Sequence, residues 1–414
     1  MSTDYWECNK ILNESLKRQY ERSKKQLILN PVENIPDLKY IELGYDFLYG
    51  IYNSDKLRST DEMINTKIQF ADRIGVAADI NKIYKLWCNA LDAEAISMRF
   101  FSGLHAHTTI FMAITNINDN VIILPEKAGG HMATKAILER LGLNVYELSV
   151  DIENKRIDIE KSKKLINQIN PKVIFVDRSE GTIYEDFSWL SEFKEIYKIF
   201  DASQYLTNIL AKDYISPFDM GFDAILSTTH KNFPGPQRAL YCTKCKDKMW
   251  EKIYSKIGTY VSNMHPYSIY SLGLMMENRQ KYTDISNKMI ENAIELEKEL
   301  IKHDVNVISQ LPLNKFERHT HHIWLQCENK RAAFDLYNRF ERNGFLVNYR
   351  KLPYNIGYGI RMGLSAATVC GLIKQDIPLL GQLLAKTQKA KTYDEHLHHE
   401  AESFIAEIKE RKNA

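Results

Sequence analysis

The feature that most constrains the fold is an alternation of short apolar runs with amphipathic stretches between about residues 60 and 250. The apolar runs occupy residues 121–125, 144–150, 172–177, 198–203 and 223–229. Helical patterns such as HMATKAILERLG and DIEKSKKLINQIN lie between several of them. Parallel strands need a long connection, usually a helix, so buried strands that alternate with helices predict a mostly parallel sheet. We therefore expect an α/β fold.

Two further regions flank this part of the chain. Residues 9–27 repeat apolar residues at helical spacing and predict an arm helix, followed by a proline-marked loop at 30–36. From about residue 275 a long amphipathic helix precedes two strand-like runs, HHIWLQC and GFLVNYR, separated by a helical pattern. We expect an N-terminal arm (1–45), a large domain (46–270), a smaller α+β domain (271–390) and a charged helical tail (391–414).

Charge and composition exclude several classes of protein. Lys and Arg number 55 against 53 Asp and Glu, so the net charge is +2 and gives no reason to expect a nucleic-acid partner. No run approaches the ~20 apolar residues of a membrane span. Residues 1–7 lack the apolar core of a secretory signal, and six scattered cysteines do not suggest a disulfide framework. We expect a cytoplasmic protein that binds neither membrane nor nucleic acid.

Two groups of residues suggest a metal site at first sight. Cys242 and Cys245 form a single CxxC without a second pair. Alternation along a strand would place His319 and His321 on one face and His322 on the other. A structural zinc ion needs four converging ligands, so we expect no metal here.

Ligands of parallel α/β sheets gather at the carboxyl ends of strands, and Lys231 lies two residues after the run 223–229. A buried strand end disfavours the charged amine, so a neutral amine is available to form a Schiff base. Pro234-Gly235-Pro236 behind it restricts the backbone. These neighbours favour a catalytic lysine over an ordinary surface lysine.

Three other segments place polar groups at similar positions. Asp201 ends the run KIFD and could hold a protonated ring nitrogen of a cofactor, or cap a helix. Ser102, Gly103 and Leu104 open a helix whose free N–H groups could hold a phosphate. His131 follows two glycines at another helix start and could lie over a cofactor ring, or be structural.

In their order and spacing these segments resemble the serine hydroxymethyltransferase family. The specific parts are GGH at 129–131, Asp201, TTHK at 228–231 with GP at 235–236, and GIRMG at 359–363. The resemblance covers about residues 27–380. It implies a pyridoxal 5′-phosphate (PLP) enzyme of fold type I, like aspartate aminotransferase. This fold has a large domain with a mostly parallel seven-stranded sheet and a smaller α+β C-terminal domain. It also implies a homodimer with shared active sites.

The resemblance assigns roles to individual residues. Lys231 would carry PLP as a Schiff base, Asp201 would face the ring nitrogen, and His131 would stack on the ring. Further cofactor contacts are implied for Ser102, Gly103, Leu104, Ser179, Gln204 and His230, catalytic roles for Glu33 and Thr228, and substrate contacts for Arg361 and Tyr49. The role of Arg361 is chemically reasonable, because a guanidinium group binds a carboxylate through two hydrogen bonds.

Departures from the family pattern affect mainly the substrate and folate residues. Val32 replaces the serine of Ser-Glu-Asn, and FLYG at 47–50 replaces Tyr-Ala-Glu-Gly, so Tyr49 stands in place of a carboxylate. Gln204 replaces a histidine, and the arginine after Gly-Pro is displaced by one position to Arg238. The stretch 351–358 is shorter than its counterpart, which helps to hold folate. The cofactor residues are therefore kept while the folate residues are lost.

We therefore expect a PLP-dependent transferase or lyase of amino-acid metabolism that acts through an external aldimine and an α-carbanion. Folate-independent aldol or retro-aldol chemistry, similar to hydroxymethyl transfer, fits best. Transamination, decarboxylation, β/γ-replacement and cyclisation remain alternatives within the same cofactor class. A non-catalytic scaffold subunit is the alternative from another class, and the intact Lys231, Asp201 and Arg361 argue against it.

Overall fold

A computed structural model describes residues 10–37, 39–40, 48–65, 75–313, 317–390 and 394–413; the expectations for residues 1–7 and Phe47 lie outside these ranges. The strands are β1 (Leu27–Ile28), β2 (Ala95–Phe100), β3 (Asn120–Ile123), β4 (Asn144–Glu147), β5 (Val150–Asp151), β6 (Arg156–Ile157), β7 (Val173–Val176), β8 (Ile183–Tyr184), β9 (Tyr197–Asp201), β10 (Ala224–Thr228), β11 (Ala239–Thr243), β12 (Arg318–His319), β13 (His322–Gln326), β14 (Phe345–Leu346), β15 (Asn348–Leu352) and β16 (Gly357–Gly363).

The α-helices are α1 (Lys10–Lys24), α2 (Thr60–Asn65), α3 (Val76–Leu91), α4 (Gly103–Ile114), α5 (Met132–Arg140), α6 (Ile159–Ile169), α7 (Leu206–Leu210), α8 (Lys248–Tyr260), α9 (Pro266–Glu277), α10 (Arg279–Lys302), α11 (Lys330–Arg342), α12 (Ser365–Val369), α13 (Ile377–Lys389) and α14 (Glu395–Asn413). Short 3-10 helices occupy Glu126–Ala128, Ser188–Glu192 and Lys374–Asp376.

A seven-stranded sheet in the order β2-β11-β10-β9-β7-β3-β4 forms the centre of the large domain. The pairs β10–β9, β9–β7, β7–β3 and β3–β4 are parallel, which confirms the predicted mostly parallel sheet. Strand β11 runs antiparallel to both β10 and β2. It follows β10 after only a short connection, which permits an antiparallel pair but no crossover.

The sheet is covered on both faces. Every residue of β7 and β10 is buried, which explains the uninterrupted apolar sequence of β7 and the apolar first three residues of β10. One apolar cluster includes Trp87 of α3, and another includes Phe111 of α4. This sandwich fixes the strands, and with them the side chains at the strand ends.

The C-terminal part has its own three-stranded antiparallel sheet, β13-β16-β15, and its own apolar cluster. The predicted long helix is two helices, α9 and α10, which meet at Asn278. The arm contributes α1 and then β1, which pairs in parallel with β14 of this part.

In the described part of the chain, no helix is both long and apolar enough to cross a membrane.

Candidate active site

Lys231 lies in a tightly bonded loop that follows β10. The N–H of Thr229 donates to the carbonyl of Arg238 (2.9 Å), and that of Gly235 donates to the carbonyl of Thr229 (2.8 Å). The side-chain amide of Asn34 donates to the carbonyl of Lys231 itself (2.6 Å). Burial lowers the pKa of Lys231, Asp201 opposes this effect, and Arg361 adds to it. The net direction favours the neutral amine that Schiff-base formation requires.

Asp201 ends β9 and is held as a buried carboxylate. Its Oδ2 lies 2.9 Å from Nε2 of His107, and its Oδ1 accepts a hydrogen bond from the N–H of Ser203 (2.8 Å). Burial alone raises the pKa of Asp201, but His107, Lys231 and Ser203 more than offset this effect and lower it. The ionised form is the one that can hold a protonated ring nitrogen.

His131 caps the N-terminus of α5, and its ring lies close to that of His107, with centroids 6.2 Å apart. Its Nδ1 accepts a hydrogen bond from the N–H of Ala133 (3.2 Å). Burial, together with His107 and Lys231, lowers the pKa of His131 to about 4. A neutral ring whose Nδ1 is an acceptor carries its proton on Nε2, so His131 presents a donor there.

Gly129 explains how the backbone before His131 approaches the next strand end. Its φ is +90°, and a Cβ at this position would lie 1.9 Å from the carbonyl oxygen of Glu180. The carbonyl of Gly129 accepts hydrogen bonds from the N–H groups of Ser179 (2.9 Å) and Glu180 (3.1 Å). Only glycine permits this contact, which joins the His131 loop to the segment after β7.

The start of α4 forms the candidate phosphate site. Ser102 caps the helix by accepting a hydrogen bond from the N–H of His105 (3.2 Å), and the first N–H groups, those of Gly103 and Leu104, precede the helical ladder. A Cβ at Gly103 would lie 3.0 Å from Cγ2 of Thr228. Among the described residues, the buried Oγ1 of Thr228 has no hydrogen-bond partner.

These observations test whether the site fits PLP. The helix start offers free N–H groups and Thr228 an unused hydroxyl, as a phosphate requires. His230, beside them, also has a buried Nδ1 without a partner in the described part of the chain, and burial lowers its pKa to about 4. With Asp201 ionised and the pKa of Lys231 lowered, the residues present fit the cofactor.

Gln204 contacts two histidines. The expected placement of His319 and His321 on one face of a strand, with His322 on the other, is wrong. Both His321 and His322 bring Nε2 to 3.2 Å from Oε1 of Gln204. Strand β12 ends at His319 and β13 begins at His322, so the histidines do not share one strand. His319 instead contacts Glu297, with 2.9 Å between Nε2 and Oε2. Among the described residues, no group of three potential ligands is arranged to hold a metal ion.

Arg361, in the middle of β16, is buried beside the segment that carries Ser179. Its Nη1 donates to the carbonyl of Ser179 (3.3 Å), and burial lowers its pKa to about 10. A guanidinium group remains charged at neutral pH under these conditions. Arg361 is therefore placed to receive an anionic group next to Lys231, whose pKa it lowers.

Glu33 and Tyr49 lie in more open surroundings. Glu33 is exposed and accepts a hydrogen bond from the side-chain amide of Asn30 (2.5 Å). Tyr49 is 57% exposed, with its ring edge-on to that of Tyr267 at 5.7 Å. Their roles in the site remain predictions. Arg238, by contrast, is buried and donates to three backbone carbonyls, so its role is structural.

Sequence reasoning missed His107, Asn34, Glu180 and Arg350. His107 follows Gly103 by one helical turn and is a buried imidazole in a helix whose second half is mainly apolar, which is a usable signal. Asn34 reaches Lys231 across 197 positions of the chain. Contacts of that range depend on how the domains pack, which no local pattern reveals.

Comparison with known proteins gives a consistent result. The family model described as serine hydroxymethyltransferase matches residues 8–384. A serine hydroxymethyltransferase of Sulfolobus acidocaldarius is 24% identical over 394 residues, which cover 91% of this chain and 88% of that protein. An L-threonine:uridine-5′-aldehyde transaldolase of a Streptomyces species is 27% identical over 386 residues, covering 89% and 87%.

A solved structure supports the same fold. The L-threonine transaldolase from Pseudomonas fluorescens superposes with a TM-score of 0.85 at 18% sequence identity. The match covers 95% of this chain and 90% of that one. Both domains are therefore built on a shared architecture.

Proposed function

We propose a reaction for this chain from one premise, namely that it belongs to the serine hydroxymethyltransferase family of PLP-dependent enzymes. The proposed reaction is the folate-independent cleavage or formation of the Cα–Cβ bond of a β-hydroxy amino acid. Cleavage removes the proton of the β-hydroxyl group, releases an aldehyde, and leaves an electron pair at the α-carbon. A proton or a second aldehyde then takes up that pair.

When bound, PLP supplies an electron sink for negative charge at the α-carbon. The residues of the chain do the remaining work. Asp201, ionised and held by His107, stabilises positive charge at the end of β9. The neutral amine of Lys231 can accept or return a proton. Arg361 holds the substrate carboxylate, so that the bond to be broken is oriented.

The observation that carries the proposal is the convergence of Lys231, Asp201 and Arg361. The charges of Asp201 and Arg361 both act on the amine of Lys231. Asp201 stabilises positive charge, Lys231 accepts or returns a proton, and Arg361 binds a carboxylate. A relative that covers most of the chain is, by its name, a transaldolase that acts on L-threonine and uridine-5′-aldehyde. An amino-acid substrate and aldol-type chemistry follow from both.

The turn between β15 and β16 supports independence from folate. It consists of residues 353–356, because Leu352 already pairs with Gly357. Tyr354 is buried in this turn, and its N–H donates to the carbonyl of Lys127 (2.7 Å). The turn thus packs onto the large domain where the family has a longer stretch. Tyr49 also lacks the carboxylate found at that position in the family.

The test is to incubate the holoenzyme with L-threonine, L-serine and related β-hydroxy amino acids, and to measure aldehyde and glycine. We expect aldehyde release that tetrahydrofolate does not change and that Lys231→Ala abolishes. A saturable folate-dependent conversion of serine to glycine would contradict the independence from folate. Absence of aldehyde with every β-hydroxy amino acid would contradict the reaction class.

We further propose a cytoplasmic homodimer that shares its active sites between subunits. Tyr49, Phe101 and Leu104 are exposed on one protomer although Phe101 and Leu104 flank the candidate phosphate site. A second copy of the chain would cover them. Light scattering on the holoenzyme tests this proposal, and a mass of one chain at micromolar concentration would contradict it.

A further inference from the structure

Three charged side chains, Glu180, Arg350 and Arg361, form a cluster of which the proposed reaction uses only Arg361. Oε1 of Glu180 lies 2.5 Å from Nη1 of Arg350 and 3.9 Å from Nη1 of Arg361. We refer to these three residues as the Glu180 cluster. One carboxylate thus lies between two guanidinium groups, much closer to Arg350.

The register of the small sheet places both arginines on one face. Arg361 pairs with Asn348, and Arg350 pairs with Gly359, so the two arginines are diagonal neighbours across β15 and β16. Glu180 comes from the other domain, where its N–H is bonded to the carbonyl of Gly129. The cluster is therefore assembled by the packing of the two domains.

Counting charges shows what the cluster can bind. Two guanidinium groups and one carboxylate leave one positive charge, enough for one carboxylate of a substrate. The contact of Arg350 with Glu180 is of hydrogen-bonding length, whereas Arg361 stays beyond that range. Among the described residues, Nε of Arg361 is buried without a hydrogen-bond partner. Arg361 is therefore the arginine that can still form hydrogen bonds to a substrate carboxylate.

Arg350 is the open member of the cluster, and its charge acts on His131, as that of Lys231 does. Its side chain is 23% exposed, against 3% for Arg361 and 2% for Glu180. The positive charges of Arg350 and Lys231 both lower the pKa of His131. A second carboxylate on a substrate side chain would thus come within reach of Arg350, if Glu180 did not already occupy it.

We propose that Glu180 determines substrate specificity by neutralising Arg350, so that the site accepts amino acids with one carboxylate and rejects those with two. The inference rests on the proposed function, because it assumes an amino-acid substrate whose carboxylate binds Arg361. Without Glu180, the two arginines would form a pair of carboxylate sites. Glu180 is then a repulsive element against a second negative charge.

The experiment measures binding rather than turnover. Holoenzyme is titrated with L-alanine and with L-aspartate, and the absorbance of the bound cofactor gives the two dissociation constants. In Glu180→Gln, the affinity for aspartate relative to alanine should rise at least tenfold. Adding Arg350→Gln to that variant removes the second cation, so the gain should disappear while alanine still binds. Glu180→Asp keeps the charge and should keep the wild-type preference.

Two results would overturn the inference. One is an unchanged ratio of affinities in Glu180→Gln. The other is a loss of alanine binding in that variant with the cofactor spectrum intact, because Glu180 would then only position Arg361. A wild-type enzyme that responds to no amino acid would instead refute the proposed function.

A second variant serves if Glu180→Gln does not fold. In Arg350→Gln, the carboxylate of Glu180 faces Arg361 alone and competes with the substrate. Alanine binding should therefore weaken at least tenfold. Unchanged alanine affinity in this variant would show that the charge of Glu180 does not act on the site, and would overturn the inference.

Discussion

Replacing His107 by alanine should weaken PLP binding and slow the reaction, because His107 holds the carboxylate of Asp201. No role for His107 was expected from the sequence. Asp201 is a buried carboxylate with two hydrogen bonds, one from His107 and one from the N–H of Ser203. Hydrogen bonds to a charged group contribute ~2 kcal/mol, which corresponds to about a 30-fold change in an equilibrium constant. The pKa of Asp201 should rise in His107→Ala, because the contact with His107 is the main effect that lowers it.

The consequence is measurable in two ways. The dissociation constant of PLP, followed by absorbance, should rise by up to about 30-fold. The rate of exchange of the α-proton of glycine, followed by NMR in D2O, should fall by up to the same factor. Asp201→Asn sets the upper limit of the effect, since it removes the charge altogether. His107→Gln keeps a donor and should recover part of the loss. Values for His107→Ala within twofold of wild type would refute the reasoning.

The remaining predictions concern the lysine, the arginine and the acid range. Borohydride reduction and peptide mapping should place a pyridoxyl group on Lys231, and its appearance on another lysine would contradict the assignment. Arg361→Lys should weaken amino-acid binding by tens of fold without changing the cofactor spectrum, because a desolvated charge pair contributes ~2–5 kcal/mol; unchanged binding in Arg361→Ala would refute the role. Burial lowers the pKa of His131 and His230 to about 4 and that of His321 to about 3, from an ordinary 6.5. The unfolded chain therefore binds protons first, and stability should fall as the pH drops from about 6.5 to about 4. Urea unfolding midpoints at pH 7.5 and 5 test this, and equal midpoints would contradict it.

The sequence allowed the fold to be predicted where a strand is buried on both faces and its run is mainly apolar. The runs that became β3, β7, β9 and β10 stand out for this reason. Strands β2 and β11 were not singled out. Strand β2 contains the buried polar residues Ser97 and Arg99, so its apolar character is interrupted.

The candidate site was predictable where one residue follows directly from a strand or helix end. Lys231, Asp201 and Ser102 are such cases, because the element itself determines their place. His322 was misplaced because Thr320 and His321 belong to neither β12 nor β13, so residues 319–322 do not form one continuous strand. Glu180 and Arg350 meet only through the packing of two domains, and a single sequence gives no sign of that contact.

The contacts of Asn34 bear on the order in which the protein becomes functional. Its amide donates to the carbonyl of Lys231 (2.6 Å) and to the hydroxyl of Ser365 (3.0 Å), which lie 197 and 331 positions further along the chain. During synthesis on the ribosome, the arm emerges first, but its strand β1 has no partner until β14 of the smaller domain has been made. The large domain can form its sheet earlier, while the loop of Lys231 still lacks this anchor. A nascent chain that ends before residue 365 should therefore capture the cofactor poorly, although most of the cofactor residues have already been translated.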